Sequence, residues 1–421
     1  MTLELSKFDR SNLSGARGPA PRMAMSIIVR MAEVLEAQRL MDISQAHIDS
    51  TIYLGEAGLE FAERLAGYQA TVSVPTTLNV SAVDENGWQE WAVPGEWAEK
   101  ARRQMIAYQS MGCIPTWTCA PYQTDHAPTF GQQIAWGESN AIVFANSVIG
   151  ARTERYPDLM DICAAITGRV PAVGLHLTEN RAGNVSIRLV DIPESLQMDD
   201  SFYPVLGHLL GTAAGDGIPV IEGFLVKPAE DQLKALGAAA ASSGNVALFH
   251  IVGITPEAPT REAAFQGRAP ERTIEVTLPG LRTARQELTT AEGDELDLVV
   301  LGSPHFSLAE FKNLAPLLQG ERRHPRVEFL VTTSRAMAAL ARKADLLEAF
   351  EAFGGRLTLD TCILASPMLP PEIRRLMTNS AKYAYYAPGL LKTQIVFGST
   401  QDCVRSAVAG RVVRDESKWL V

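Results

Sequence analysis

The chain has 421 residues, of which 46% are hydrophobic and 20% charged, the proportions of a soluble, enzyme-sized globular protein. That length exceeds one typical hydrophobic core, so roughly two or three lobes are expected. The net charge of -10 excludes a broad basic face for nucleic acid or an anionic membrane, and leaves room only for a local basic pocket that takes a small anion.

The stretch from Met1 to Arg22 has no apolar run of signal-peptide type. The longest apolar region, Pro204 to Val226, is broken by Asp216, Pro219, Glu222 and several glycines, which rules it out as a membrane span. The cytoplasm is the expected compartment. A helix is predicted from Arg22 to about Arg39, with Met23, Ile27, Met31 and Leu35 on one face. "GEAG", Gly55 to Gly58, and "PTTLN", Pro75 to Asn79, each close a short strand pattern. Their backbone N–H groups and small hydroxyls suit a carboxylate or phosphate, and equally suit an ordinary turn. Glu56 reads as an acid or base, or as a solvated turn residue. Further helices are predicted from Trp97 to Met111 and from Trp136 to Ile149. "TVSVP", "PVIEGF" and "VALFHIVGI" read as strands. The polar stretch from Glu257 to Arg272 is the predicted boundary between lobes at about 1–260 and 273–421.

The C-terminal part carries the clearest pattern. "LDLVVLG" precedes the helix pattern "SLAEFKNLAPLLQ", "VEFLVTT" precedes "SRAMAALARKADLLEAFEAF", and "RLTLD" precedes "TCILASP". This alternation predicts an α/β fold with a parallel sheet, whose right-handed crossovers bring every strand's carboxyl end to one edge. Open α/β sheets bind ligands at that edge. It collects Ser303, Pro304 and His305; Thr332, Thr333, Ser334 and Arg335; Asp360, Thr361 and Cys362; Asn379, Ser380 and Lys382; and Ser399, with Cys403 just beyond.

Five cysteines, Cys113, Cys119, Cys163, Cys362 and Cys403, form no CxxC pair, and their odd, sparse placement does not read as a disulfide framework. Cys119, in "PTWTCAPYQ", lies between prolines that prevent a helix, so its thiol sits on an extended or turning segment. Cys362 follows a strand. It reads either as a nucleophile with His305 as base, or as a metal thiolate with Cys119 and Cys403 as further soft ligands. An iron that lacks one protein ligand acts as a Lewis acid. In "WGESNAIVFANSVIGART", Glu138, Ser139, Asn140 and Asn146 place polar groups on an apolar helix, where they need either a ligand or internal partners. Cys163, on an apolar helix face in "LMDICAAITG", reads as structural.

Taken in order, "GEAGLEF", "VPTTLN", "PTWTCAPYQ", "AWGESNAIVFANSVIGART", "GSPHFSLAE", "DTC" and "TNSAKYAYY" resemble the large subunit of aconitase X over nearly the whole chain. The resemblance implies an aconitase-like α/β fold of several α/β/α lobes with parallel sheets around a central cleft. It implies an iron–sulfur hydro-lyase and a small swivelling-domain subunit, either separate or fused; no appended swivelling domain is evident over 1–421. Family branches dehydrate cis-3-hydroxy-L-proline or mevalonate 5-phosphate. Cys119 and Cys362 match the family's cluster cysteines. Ser303 stands where the phosphomevalonate branch has cysteine in Gly-Cys-Pro-His, which puts a three-cysteine cubane in doubt. A 2Fe-2S cluster on Cys119, Cys362 and Cys403, or a simple iron site, is then expected, with Cys113 in reserve. After "GART", Glu154, Arg155, Tyr156, Pro157 and Asp158 replace the Asn-Arg-Glu-Gly-Gly of the phosphomevalonate branch, which favours hydroxyproline as substrate.

The expected site therefore combines His305, Lys382 and Ser380 as catalytic groups, and Gly55, Glu56, Thr76, Thr77, Asn79, Ser139, Asn146, Arg152, Ser303 and Asn379 as substrate contacts. The implied reaction is β-elimination of water to Δ1-pyrroline-2-carboxylate. The rivals are mevalonate 5-phosphate dehydration and a non-catalytic scaffold with a degenerate cluster site.

Overall fold

The computed structural model describes residues 3 to 420. After the helix Pro19–Val34 the chain forms β1 (Leu40–Asp42) and β2 (Ala46–Ile48). β2 is the centre of a parallel sheet between β3 (Thr76–Leu78) and β4 (Ala135–Trp136), while β1 pairs antiparallel with β5 (Arg169–Pro171). Every residue of β2, β3 and β4 is buried, as a parallel sheet covered on both faces requires. The helix Pro19–Val34 buries Ala20, Ala24, Ile28 and Ala32, a stripe at every fourth residue. The predicted face was its neighbour: Met23, Ile27 and Met31 are only partly buried, because the small alanine stripe is the side that packs against the buried helix Met160–Thr167.

The middle of the chain forms a second parallel sheet from β6 (Val185–Leu189), β7 (Pro219–Glu222), β8 (His250–Ile251) and β9 (Arg272–Val276), in the order β8-β7-β6-β9. This corrects the predicted lobe boundary. Glu257 to Arg272 connects two strands of one sheet: Glu257 pairs with the buried Arg181 at 2.8 Å, and Ala258 and Phe265 pack with Val220 of β7. The stretch looked like a linker because its polar residues mask two apolar anchors.

The third sheet contains β10 (Leu298–Leu301), β11 (Glu328–Thr333), β12 (Arg356–Leu359), β13 (Arg375–Thr378) and β14 (Gln394–Phe397), in the order β12-β11-β10-β13-β14 with every pair parallel. β10 is buried throughout, and the helices Leu308–Leu318, Arg335–Lys343, Ala381–Leu390 and Thr400–Ala409 follow its strands as the alternation predicts. Three strand predictions differ in extent. "TVSVP" holds no strand, since pairing begins at Thr76; "VALFHIVGI" contributes only His250–Ile251; and "PVIEGF" is strand over Pro219–Glu222. The helix predicted from Trp136 starts at Ser139 and ends in a widened π turn over Ala145–Ile149.

The first and third sheets meet at their carboxyl ends. The Ser81 N–H donates to the Asp360 carbonyl at 2.9 Å, and the Thr361 hydroxyl donates to the Ser81 carbonyl at 2.7 Å. Arg335 ties Asp84 to Asp360, at 2.9 and 2.8 Å. Among the described residues no helix is long and apolar enough to cross a membrane.

Candidate active site

The segment that carries Cys119 runs beside the end of β3. The Thr118 N–H donates to the Leu78 carbonyl, and the Thr116 hydroxyl donates to the same oxygen at 2.8 Å. From the other side Asn140 donates to the Cys119 carbonyl at 2.9 Å and is itself held by the Tyr122 hydroxyl. Cys362 sits just past β12. In both loops a non-glycine residue two positions before the cysteine takes a left-handed backbone, Trp117 with φ 41° and Asp360 with φ 62°. Such conformations persist only where the surroundings impose them. The two thiols come together: Cys119, Val80 and Ala365 form one small apolar cluster against which Cys362 packs. Cys119 is buried and Cys362 half-buried.

Burial pushes the Cys119 thiol up to about 12, with the Glu138 carboxylate reinforcing the shift and Lys382 opposing it; burial also raises Cys362. A neutral thiol is a poor nucleophile. His305 does not act as its base. Its Nε2–H donates to the Thr361 carbonyl at 3.0 Å and its Nδ1 accepts from the Thr118 hydroxyl at 3.2 Å, so both ring nitrogens are engaged. Burial lowers its pKa to about 4. The structure thus gives the expected catalyst His305 a bridging position between two loops, with both ring nitrogens bonded to groups other than a thiol.

Lys382 reaches the site from the first turn of the helix Ala381–Leu390 and donates to both Glu138 oxygens, at 2.8 and 3.1 Å. Burial opposes both charges. The mutual attraction nevertheless holds Lys382 protonated and keeps Glu138 below the usual carboxylate range. Glu138 follows β4 directly, through Gly137. A Cβ at Gly137 would lie 2.5 Å from that of Asp49, so only glycine lets these strand ends approach. Asp49, just past β2, is held well above the usual range by burial and then by Glu138, Asp158 and Asp161; Asn79, just past β3, donates to it. Behind them the buried His47 bonds to the Thr77 hydroxyl at 2.8 Å. Tyr383, one residue beyond Lys382, puts its hydroxyl 3.0 Å from that of Thr332 and 3.5 Å from the Cys362 sulfur.

The predicted contacts divide. Asn79, Ser139, Ser303, Ser380 and Lys382 all bear on this edge. Ser139 donates to Glu138 at 3.1 Å. Ser380 accepts from the Tyr383 N–H and donates to the Ser303 carbonyl, so its hydroxyl braces the loop and its expected catalytic role becomes a bracing one. Gly302 permits that loop: with φ 98°, its Cβ would stand 2.2 Å from the Thr332 carbonyl. Asn379 donates to the Thr400 hydroxyl at 2.9 Å and lines a small cavity with Ser303, Lys234 and Glu310. Thr76 bonds back to the Val74 carbonyl, and Thr77 serves His47.

The structure moves five predicted residues out of the site. Glu56, exposed, pairs with Lys100 at 2.7 Å, and Gly55 makes the turn into its helix. Asn146 spends its amide on Thr153, Ala247 and Arg181 inside the π turn. Arg152 bonds to the Thr178 hydroxyl at 2.7 Å. Cys403 is corrected from ligand to core residue. It follows the capped start of the helix Thr400–Ala409, and that register turns it onto the sheet, among Val299, Leu301 and Phe311. Cys113 is likewise in an apolar core. Cys163 is fully buried there too, so Cys163→Ala is expected to keep its metal content and to cost on the order of 1 kcal/mol in urea unfolding, the loss of one buried atom. Metal loss in that folded variant would contradict its structural role.

Asp49, His47 and Tyr383 were not singled out from sequence, and Glu138, noted there as a polar residue in need of a ligand or an internal partner, was not placed among the site residues. Asp49 directly follows β2 and Glu138 follows β4 after Gly137, the places in the first sheet that the chosen edge residues hold in the third. Among the described residues no three His, Cys, Asp or Glu side chains converge as a ready metal set. The soft donors present are the two thiols, which fit a group that needs few protein ligands and prefers sulfur.

Profiles of the aconitase X first, second and third domains match residues 2–179, 183–286 and 296–409. The chain belongs to the aconitase X family. Over 99% of its length it is 49% identical to a cis-3-hydroxy-L-proline dehydratase of Pseudomonas aeruginosa, covering 72% of that protein. A cis-3-hydroxy-L-proline dehydratase of Hypocrea jecorina is 45% identical over 97% of this chain and 69% of the relative. The phosphomevalonate dehydratase large subunit of Methanothermobacter thermautotrophicus is 36% identical over 95% of this chain and 98% of the relative. The crystal structure of Thermococcus kodakaraensis aconitase X in its holo-form superposes with a TM-score of 0.86 at 33% identity, covering 96% of this chain and all of the other. The α/β architecture described above is thus the aconitase X fold.

Proposed function

We propose that this aconitase X chain is a hydro-lyase that dehydrates cis-3-hydroxy-L-proline to Δ1-pyrroline-2-carboxylate. The observation that carries the reading is the convergence of Cys119 and Cys362 with the buried Lys382–Glu138 pair where two sheets meet. The 49% identity to a named cis-3-hydroxy-L-proline dehydratase supports the substrate. So does the segment after Arg152 and Thr153. Glu154 accepts from the Leu175 N–H at 2.7 Å, and Arg155 is spent on the Asn245 carbonyl at 2.6 Å, so this loop brings acid rather than a free cation for a phosphate.

Cys119 and Cys362 would hold an iron–sulfur group or iron. When bound, that group supplies a Lewis acid for the departing C3 hydroxyl. The chain's own groups do the rest. The Lys382 ammonium attracts the substrate carboxylate and the negative charge that builds up beside it. Glu138, kept ionised, takes the proton from C2. Asp49, kept protonated by burial, gives a proton to the C3 oxygen, which leaves as water. The enamine left behind tautomerises to the cyclic imine. Because relatives such as the Methanothermobacter protein are named large subunits, a small second subunit that covers the half-exposed Cys362 and excludes water is part of the proposal.

The test is turnover after anaerobic loading with iron and sulfide, with cis-3-hydroxy-L-proline and mevalonate 5-phosphate as alternative substrates. Formation of Δ1-pyrroline-2-carboxylate is the expected result. Dehydration of mevalonate 5-phosphate alone would overturn the substrate assignment.

A further inference from the structure

His305 touches both thiol-bearing loops at once. Its backbone N–H donates to the Cys119 sulfur at 3.2 Å. Its ring spans from the Thr118 hydroxyl to the Thr361 carbonyl, at 3.2 and 3.0 Å, and these are the residues that immediately precede Cys119 and Cys362. The histidine itself is held on every side. Its carbonyl accepts from the buried Lys234 at 3.3 Å, and Lys234 is pinned by Asp231 and Glu310. The next residue, Phe306, exchanges bonds with β11, donating to the Thr332 carbonyl at 3.0 Å and accepting from the Thr333 hydroxyl at 2.8 Å.

We propose that His305 is a positioning residue: it clamps the Cys119 and Cys362 loops at a fixed spacing and orientation, so that two thiols from different sheets form one ligand pair. The clamp rests on the reading of Cys119 and Cys362 as ligands for its purpose, but its geometry exists without metal. Imidazole suits the task because it carries a donor and an acceptor at opposite ends of a rigid ring. Both backbone conformations it secures, at Trp117 and Asp360, are unfavourable for the residues that adopt them.

Hydrogen exchange of the metal-free chain, followed by mass spectrometry, tests the clamp directly. His305→Ala should speed exchange around residues 115–121 and 360–366 by roughly 10-fold or more, leaving distant peptides at wild-type rates. Thr118→Val, which keeps the shape and removes the hydroxyl, should give a smaller rise at the same two loops. His305→Gln retains a donor for Thr361 and should restore part of the protection. In iron-loaded protein, the variants should lose iron to a chelator about 10- to 100-fold faster and show an altered iron absorption spectrum. Folded His305→Ala and Thr118→Val proteins with wild-type exchange at both loops would overturn the clamp. Loosened loops in a wild-type background that takes up no iron would uphold the clamp and overturn the metal reading instead.

Discussion

Cys119→Ala and Cys362→Ala should each lose bound iron and lower turnover by on the order of 10³-fold, the loss that several kcal/mol of Lewis-acid stabilisation represents. The argument is one of number. Among the described residues only two thiols meet at this edge, because Cys403, Cys113 and Cys163 lie in apolar cores. With so few soft protein donors, removal of either leaves no substitute. Metal analysis of anaerobically purified variants, beside Cys163→Ala as the buried-cysteine control, measures the effect. Wild-type iron content in either variant would show that the pair is not the ligand set. Ser303→Ala separates the neighbouring possibility: it should keep its iron, since the hydroxyl is a weak ligand and the loop is held by the Ser303 carbonyl rather than its side chain.

Lys382→Met should abolish turnover and destabilise the fold together. It strips the substrate carboxylate of its cation and leaves Glu138 as a lone carboxylate that is almost wholly buried. Breaking one side of a buried ion pair costs about 3–5 kcal/mol, mostly through the charge left behind. Glu138→Gln in the same chain removes that charge, so the double variant should recover most of the stability and none of the turnover. Urea unfolding of the wild type, both single variants and the double closes the cycle. Recovery of turnover in the double variant would mean that the pair only holds the sheets together. Equal instability of single and double variants would mean that the electrostatic account of the pair is wrong.

Much of this site was legible in the chain. β10 and β11 announce themselves because each is a short apolar run that ends in small polar residues and passes into a helix, whereas β12 ends in the polar tip Asp360 and Thr361 with no helix after it before β13. That pattern brought Ser303, Thr332, Cys362, Asn379 and Lys382 to one edge on topology alone. The prolines around Cys119 marked its loop. The first sheet was harder to read, since β2 and β3 are three residues each and β4 only two. Runs that short carry too little periodicity to mark their carboxyl ends, so Asp49 went unnoticed and Glu138 was read only as a polar residue at the start of an apolar helix. Cys403 failed for a different reason. It lies three residues past Thr400, where one step of helix register decides between the sheet edge and the core.

The sequence by itself determined the chemistry that the chain can offer: two thiols on loops, a lysine past a strand, and strand–helix alternation that must gather its polar tips along one edge. That information is local, because it depends on residue type, spacing and short-range sterics. Tertiary structure alone decided which groups are free to react. His305 and Ser380 are competent catalysts as residue types, yet each is consumed by hydrogen bonds to segments distant in the chain. Lys382 acquired its partner from a strand end 244 residues away. Protonation, too, was settled there, since burial raises Asp49 and Cys119 while the Lys382 charge holds Glu138 ionised. Desolvation and Coulomb attraction act through space at a few ångströms. Which groups come that close is fixed only when the carboxyl edges of the first and third sheets are brought face to face.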